Sequence, residues 1–143
     1  MISFCTATSD DLPEVLALLE VAQLPLAGVK EHLQNFILAL DSDRIIGCAG
    51  LEIHEDAGLL RSVAVDEAYR LHGLGEKLTR GILELAQHQG LSSLSLLTTT
   101  AQNYFPRFGF VPIEPSQLPR SLNDSEELSG ACPDTAVGMT LRL

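Results

Sequence analysis

No tryptophan occurs in the sequence, cysteine occurs three times, and lysine and arginine together number nine. The scarcity of positive charge excludes the most. Against nineteen Asp and Glu it leaves a formal net charge of -10, so the chain lacks the basic footprint on which nucleic acid binding depends. An anionic ligand would have to be gripped mainly by backbone N–H groups. Cys5, Cys48 and Cys132 are odd in number, widely spaced and without a C-x-x-C pair, which excludes a disulfide framework and a zinc motif. They are expected to be reduced thiols, with Cys5 and Cys48 in the core, and no metal centre is expected. No apolar run approaches the ~20 residues that span a bilayer. The start, MISFCTATSDD, has neither the basic n-region nor the long apolar stretch of a signal peptide. A cytoplasmic protein with no membrane partner is the expectation.

What is present is an ordinary globular composition, 45% hydrophobic and 20% charged. The 143 residues suit one domain over 1–143. A chain of this size buries roughly 68–70% of its unfolded surface, enough for a core without covalent staples.

Ile2 to Ala7 reads as a strand, followed by the N-cap residues Thr8-Ser9-Asp10-Asp11 and by Pro13 in a first helical turn. Leu12, Val15, Leu16 and Leu19 continue as a helical stripe that stops before Pro25. A short helical piece, Val29 to Gln34, follows Gly28. Phe36 to Leu40, Arg44 to Ile53 and Leu59 to Val65, joined by short turns, predict an antiparallel meander. Gly75 to Gln89 is the strongest helix, with Leu78, Ile82, Leu85 and Ala86 near one face and Gly90 as its stop. Leu94 to Leu97 is then a strand reached by a β-α-β crossover. A short helix over Ala101 to Phe108, a strand over Phe110 to Ile113, a helical turn near Asp124 to Leu128 and a last strand over Ala136 to Leu143 complete the chain. The class is α/β of the α+β kind: a mixed, mostly antiparallel central sheet flanked by helices.

One stretch points to a ligand. Arg70-Leu71-His72-Gly73-Leu74-Gly75 joins a strand to the strongest helix. Leu78 stands where a dinucleotide fingerprint needs its third glycine, and no G-x-x-x-x-G-K-[ST] occurs, so both of those phosphate loops fail. What remains is R-x-x-G-x-G. A helix N-terminus there offers unpaired N–H groups and partial positive charge to a pyrophosphate, and glycines let the backbone come close.

The stretch LLRSVAVDEAYRLHGLGEKL, from Leu59 to Leu78, resembles the acetyl-CoA motif of the GNAT superfamily of N-acetyltransferases, and TTTAQNYFPRFGF, from Thr98 to Phe110, resembles its later motif. The two lie in the family's order with one helix and one strand between them. The same stretches, with the Pro-rich tail holding Cys132-Pro133, are also similar to the small arsenic-resistance N-acetyltransferases of that superfamily.

The resemblance implies a GNAT-type sheet, acetyl-CoA as cosubstrate and a small-molecule amine as acceptor. It implies that the main chain at Val63, Ala64 and Val65 pairs with the pantetheine arm, that a backbone N–H near Val63 stabilises an oxyanion, and that Arg70, Leu71, His72, Gly73, Leu74 and Gly75 hold the pyrophosphate, with Leu71 and His72 where basic residues often stand. Thr98 occupies a further cofactor-side position where the family often has asparagine. The family's frequent tyrosine acid maps to Phe105. Tyr104 is one residue earlier and on a helix would face about 100° away, so it is a catalytic candidate only through a local shift. The strand glutamate that serves some members as base maps to Leu59.

From the residues themselves, Glu52 and His54 share a strand face and are the other catalytic candidates, His54 being equally readable as a polar outer position near a turn. Arg61 interrupts an apolar strand, where an unpaired charge is costly. It is either a structural ion pair or surface residue, or the holder of a substrate carboxylate, with Thr99 and Thr100 beside it. The leading function is acetyl transfer from acetyl-CoA to a primary amine of a small, amino-acid-like molecule or a toxic analogue of one. The alternatives are a CoA-binding sensor without turnover and thiol-based binding of a metalloid. Strand edges in such a fold favour a homodimer.

Overall fold

Leu74, Leu78, Ile82 and Ala86 recur every four residues, and all four are buried on one face of helix α3 (Leu74–His88) in the computed structural model, which describes residues 1–128 and 136–143. The expected tail feature Cys132-Pro133 lies outside the described residues. The helix begins one residue earlier than its apolar spacing suggests, because Gly73 takes the left-handed conformation (φ +74°) that turns the chain into its first turn.

Seven strands form one sheet: β1 (Ile2–Thr6), β2 (Phe36–Asp41), β3 (Arg44–His54), β4 (Ala57–Val65), β5 (Ser93–Thr98), β6 (Val111–Ile113) and β7 (Val137–Arg142). Their order is β1-β2-β3-β4-β5-β7-β6. Every neighbouring pair is antiparallel except β4 and β5, which the α3 crossover joins in parallel. This is the mixed, mostly antiparallel sheet flanked by helices that the sequence predicts. On one face α3 packs on Ile46, Ala49, Leu51, Leu60, Leu94 and Leu96. On the other, α1 (Leu12–Val21) and α2 (Val29–His32) bury Val15, Leu19 and Val29 against Phe36, Leu38 and Cys48.

Three local expectations are corrected. Cys5 is exposed rather than in the core, because β1 is an edge strand whose five residues all face solvent. Ala57 and Gly58 belong to β4, since Glu55, at φ +59°, confines the turn to two residues. The helix expected over Ala101 to Phe108 contracts to a 3-10 turn, Phe105–Phe108; Pro106 has no N–H to bond back to Gln102, so an α-helix cannot run through it. The helical turn expected near Asp124 to Leu128 is present, with Glu127 and Leu128 helical and a separate 3-10 segment over Arg120–Asp124 before it.

One irregularity shapes the middle of the sheet. Cys48 lies opposite Ala64 and Gly50 opposite Arg61, so β4 carries one residue more than β3 across this interval. Ser62 absorbs the bulge with φ +60°. Alternation therefore changes phase: Leu60, Val63 and Val65 face α3, whereas Arg61 and Ala64 share the α1 side. Gly50 sits below this point because a Cβ there would run into the ring of the fully buried Phe36. Gly50→Ala should lower stability by about 1–3 kcal/mol through overpacking, read from urea midpoints, and Phe36→Leu in the same chain should recover part of the loss.

Candidate active site

Strands β4 and β5 pair over three positions only, Ala57 with Ser93, Gly58 with Leu94 and Leu59 with Ser95. Beyond them the strands part, and the main chain of the carboxyl half of β4 has no strand on that side. The gap is a cleft of about 440 Å³ lined by Leu60, Arg61, Ser62 and Val63 of β4, Leu96 to Ala101, Phe105, Glu127 and the Gln23–Pro25 segment. A cleft at the carboxyl ends of adjacent parallel strands is where open α/β sheets place ligands. Here the bulge at Ser62 and Val63, which share the place opposite Ala49, leaves polar main-chain groups at its wall.

Past the end of β4 the chain enters the glycine loop. The Arg70 Nε–H donates to the Val65 carbonyl at 3.3 Å, Leu71 is fully exposed with φ +73°, and His72 is exposed. The first bond inside α3 runs from the Lys77 N–H to the Gly73 carbonyl at 3.2 Å, so the N–H groups of Leu74, Gly75 and Glu76 precede the helical ladder. Nothing lies within 4 Å of where a Gly73 Cβ would be, and at Gly75 the nearest atom is the Tyr104 hydroxyl, 3.5 Å away. The helix N-terminus is thus open to a ligand, with a phenol beside it. Burial pushes the Tyr104 phenol above its ordinary value.

Behind the cleft wall is a buried polar cluster. Arg61 Nη1 donates to Glu52 Oε2 at 2.6 Å, Nε to Ser62 Oγ at 3.0 Å and Nη2 to the Pro25 carbonyl at 3.2 Å. Glu52 is fully buried and meets His54 Nε2 at 2.8 Å and His32 Nε2 at 3.5 Å. Burial alone would raise the Glu52 carboxyl, but hydrogen bonds from His54, Arg61 and Ser125 hold it below its ordinary value. Burial lowers His32, with His54 and Arg61 acting the same way against Glu52 and Glu31. One atom each from His32, Glu52 and His54 lie within 4.8 Å of one another, a donor set of the kind that holds a divalent cation. The Arg61 guanidinium already supplies the positive charge on that carboxylate.

The sequence candidates therefore separate into three groups. Arg61, Val63, Thr98, Thr99 and Thr100 line the cleft. Ala64, Val65 and the Arg70–Gly75 loop are not among its lining residues; they follow β4 along the chain, and Val65 and Arg70 border a second cleft with Glu14, Leu18 and Arg44. Glu52 and His54 are not among the lining residues; they share a strand face, as their spacing implies, but it is a buried face, so His54 is not a polar outer position. For Arg61 the structural ion pair is present, at a position that also borders the cleft. Phe105 lines the cleft and Tyr104 does not, its ring standing edge-on to Phe105 and Phe108 with Arg107 stacked over it. Cys48 donates to the Ser62 carbonyl at 3.2 Å, and burial pushes its thiol up to about 12, so it is an inert core group.

Sequence reasoning missed His32 and Glu127. His32 carries no signal in a four-residue helix. Glu127 sits in a stretch of sequence without periodicity, yet it is helical and 5% exposed, lines the cleft and has a carboxyl that burial raises to about 7.

A model described as the acetyltransferase (GNAT) domain matches residues 32–112. The chain is 30% identical over 118 residues to the amino-acid acetyltransferase of Mycobacterium tuberculosis (strain ATCC 25618 / H37Rv), covering 76% of this chain and 67% of that protein. It is 34% identical over 93 residues to the amino-acid acetyltransferase of Pseudomonas fluorescens (strain Pf0-1), covering 64% of this chain but 22% of that protein. Its fold superposes with a TM-score of 0.84 and 26% identity on N-acetylglutamate synthase from Neisseria gonorrhoeae complexed with coenzyme A and N-acetyl-glutamate, over 100% of this chain and 35% of that one. The chain thus spans about a fifth of the Pseudomonas relative and about a third of the neisserial one.

Removing one partner of a buried pair strands the other charge. Arg61→Ala should lower the unfolding free energy by about 3–5 kcal/mol in urea titrations, whereas the double replacement Arg61→Met with Glu52→Leu should cost far less. A loss below about 1 kcal/mol for the single variant would show that the pair does not anchor this wall.

Proposed function

The chain belongs to the acetyltransferase (GNAT) family, and from that premise we propose that it is an N-acetyltransferase moving acetyl from acetyl-CoA to a primary amine of a small, amino-acid-like molecule. The observation that carries the reading is that β4, whose carboxyl half walls the opening left by β5, runs on along the chain through the glycine loop to the open N-terminus of α3. An extended thioester arm fits the first, and an anionic pyrophosphate fits the second.

Acetyl-CoA brings an activated acyl group on a good leaving thiol. The protein's part is to hold and orient it and to handle protons. Main-chain groups of β4 from Leu60 to Val65 that have no partner on the β5 side are available to the pantetheine arm. The bulge turns main-chain polarity at Ser62 and Val63 toward the cleft wall, where an N–H would face negative charge growing on the thioester oxygen. Gly73 and Gly75 keep Cβ atoms away from the phosphate approach, while Leu71 and His72 add little charge. The grip falls on N–H groups and the helix dipole. Tyr104 keeps its proton at neutral pH and its hydroxyl stands beside Gly75 at the α3 N-terminus, where it can donate to a phosphate oxygen; it lies outside the cleft assigned to the thioester.

Thr98 to Thr100, across the cleft from β4, offer hydroxyl donors for a carboxylate or its phosphono or arsono equivalent, which supports an amino-acid-like acceptor. Arg61 is held on the β4 side by Glu52, Ser62 and Pro25. The relatives described above are named as amino-acid acetyltransferases, which supports an amino acid. The motifs LLRSVAV and LTTTAQNYFPRFGF with the Pro-rich tail support the narrower arsenic-resistance group, in which the acceptor would be a toxic amino-acid analogue.

Two measurements test this. Protein incubated with acetyl-CoA and single amino acids, their phosphono and arsono analogues, or polyamines should release CoA thiol with at least one carboxylate-bearing amine. Acetyl-CoA binding with no amine consumed would instead identify a binding module. Gly75→Val, whose side chain would project into the phosphate approach, should weaken acetyl-CoA binding by roughly tenfold or more, about 1.4 kcal/mol or above, without lowering the melting midpoint. Undiminished binding would remove the loop assignment.

A further inference from the structure

Among the described residues, Glu127 is the one carboxyl of the cleft wall that the cluster behind it does not neutralise. Its side chain is 5% exposed and borders the same cleft as Arg61, Ser62, Val63 and Thr98 to Thr100. Among the described residues its Oε2 has no hydrogen-bond partner, although it is buried. The turn that presents it is held by a bond from its own N–H to Ser125 Oγ at 3.2 Å. The charged groups facing it are Arg61 from β4 and Glu52 from β3, and those two are already joined to each other at 2.6 Å. His54 and His32 stand against Glu52 on its other side. Counting charge across this wall, Arg61 and Glu52 cancel and Glu127 is left over. A buried unpaired carboxylate is costly, and an ammonium group entering from the cleft would complete it.

We propose that Glu127 is a catalytic residue, receiving the ammonium group of the acceptor and taking its proton. The proposal rests on the acetyltransferase reading for its chemistry, but not for its geometry. The balance is as follows. The carboxylate accepts one proton from R–NH3+, leaving R–NH2 and a neutral Glu127. The amine lone pair forms the C–N bond to the thioester carbonyl carbon and the C–S bond breaks. The second nitrogen proton ends on the CoA sulfur, and Glu127 returns its proton to solvent. The sum is R–NH3+ plus acetyl-CoA giving the N-acetyl amine, CoA thiol and one proton. Burial raises the Glu127 carboxyl to about 7, which matches base strength to neutral pH. The other carboxylate behind this wall, Glu52, is shielded from the cleft and committed to Arg61 and His54, and Leu59 has no group to offer.

Glu127→Gln in the full chain is the test, with Glu127→Asp as its conservative companion. The folded carboxyl is raised above its unfolded value, so the folded state loses stability as pH climbs from about 4.5 through about 7. The glutamine variant should therefore melt higher than wild type at pH 8 and about equally at pH 4, which separates folding from function. With the best acceptor from the amine panel, kcat/KM at pH 7 should fall roughly 100-fold or more while acetyl-CoA affinity holds. The wild-type pH profile should inflect near 7, whereas the variant should follow only the free-amine fraction, and Glu127→Asp should recover part of the rate and the inflection. A variant that keeps both the rate and the inflection overturns the proposal. If wild type turns over no amine, carboxyl NMR decides: Glu127 must titrate near 7 and drop when methylammonium is added to the CoA-loaded protein. That result would retain the ammonium site while the acetyltransferase reading fails. A Glu127 carboxyl titrating below 5, or one indifferent to methylammonium, overturns the proposal itself.

Discussion

Two parallel strands that begin paired and end apart govern this molecule. β4 and β5 hold together through Leu59 and Ser95 and then separate, and everything ascribed to the site lies in or beside the opening. The separation leaves main-chain polar groups without a ladder partner, and buried backbone of that kind needs another partner. A ligand with an extended amide-bearing arm is one such partner. The bulge belongs to the same constraint. By giving β4 an extra residue at Ser62, it changes which side chains face α3 while keeping Arg61 on the α1 side.

Behind the opening, charge is arranged economically. Arg61 bonds to a carboxylate, a hydroxyl and a carbonyl, a set that satisfies a buried guanidinium. Glu52 collects bonds from both sides and stays ionised. Such a pair is weak evidence for stability in itself, but it ties β3 to β4 and both to the Gln23–Pro25 segment. It thereby fixes the wall against which an acceptor would rest. Glu127 approaches the same wall from the carboxyl-terminal segment and finds no charge left to neutralise it.

How far the sequence foretold this depends on the kind of signal each residue carries. Helix α3 was legible because its apolar spacing is strong and its N-terminal glycines have a known use. The meander and the β4-to-β5 crossover followed from run lengths and turns. Cys5 is exposed against expectation because an apolar-looking strand carries no mark of being at the sheet edge. Period two put Glu52 and His54 on one face, but it cannot tell a buried face from a solvated one; that depends on Gly28 and on the 125–127 segment, both packed against Arg61 or Glu52. A serine at φ +60° announces no bulge, so the phase change in β4 was invisible. Glu127 lies in a stretch without periodicity, and its burial is purely tertiary.

The departures from the family pattern fit together once that stretch is in place. Leu59 is the position to which the family resemblance assigns a strand base. Its side chain is buried with Ala57 against Leu118 and Leu122, which come from the carboxyl-terminal segment. A carboxylate at position 59 would be enclosed by leucines, a costly environment for charge. The segment that closes over Leu59 runs on through Ser125, which bonds toward Glu52, to Glu127 at the cleft. One run of chain therefore makes the strand position unfit for a base and carries another carboxyl to the opening. On the proposal made above the base stands on that segment rather than on the strand, and the leucines that enclose Leu59 belong to the same run of chain that presents Glu127.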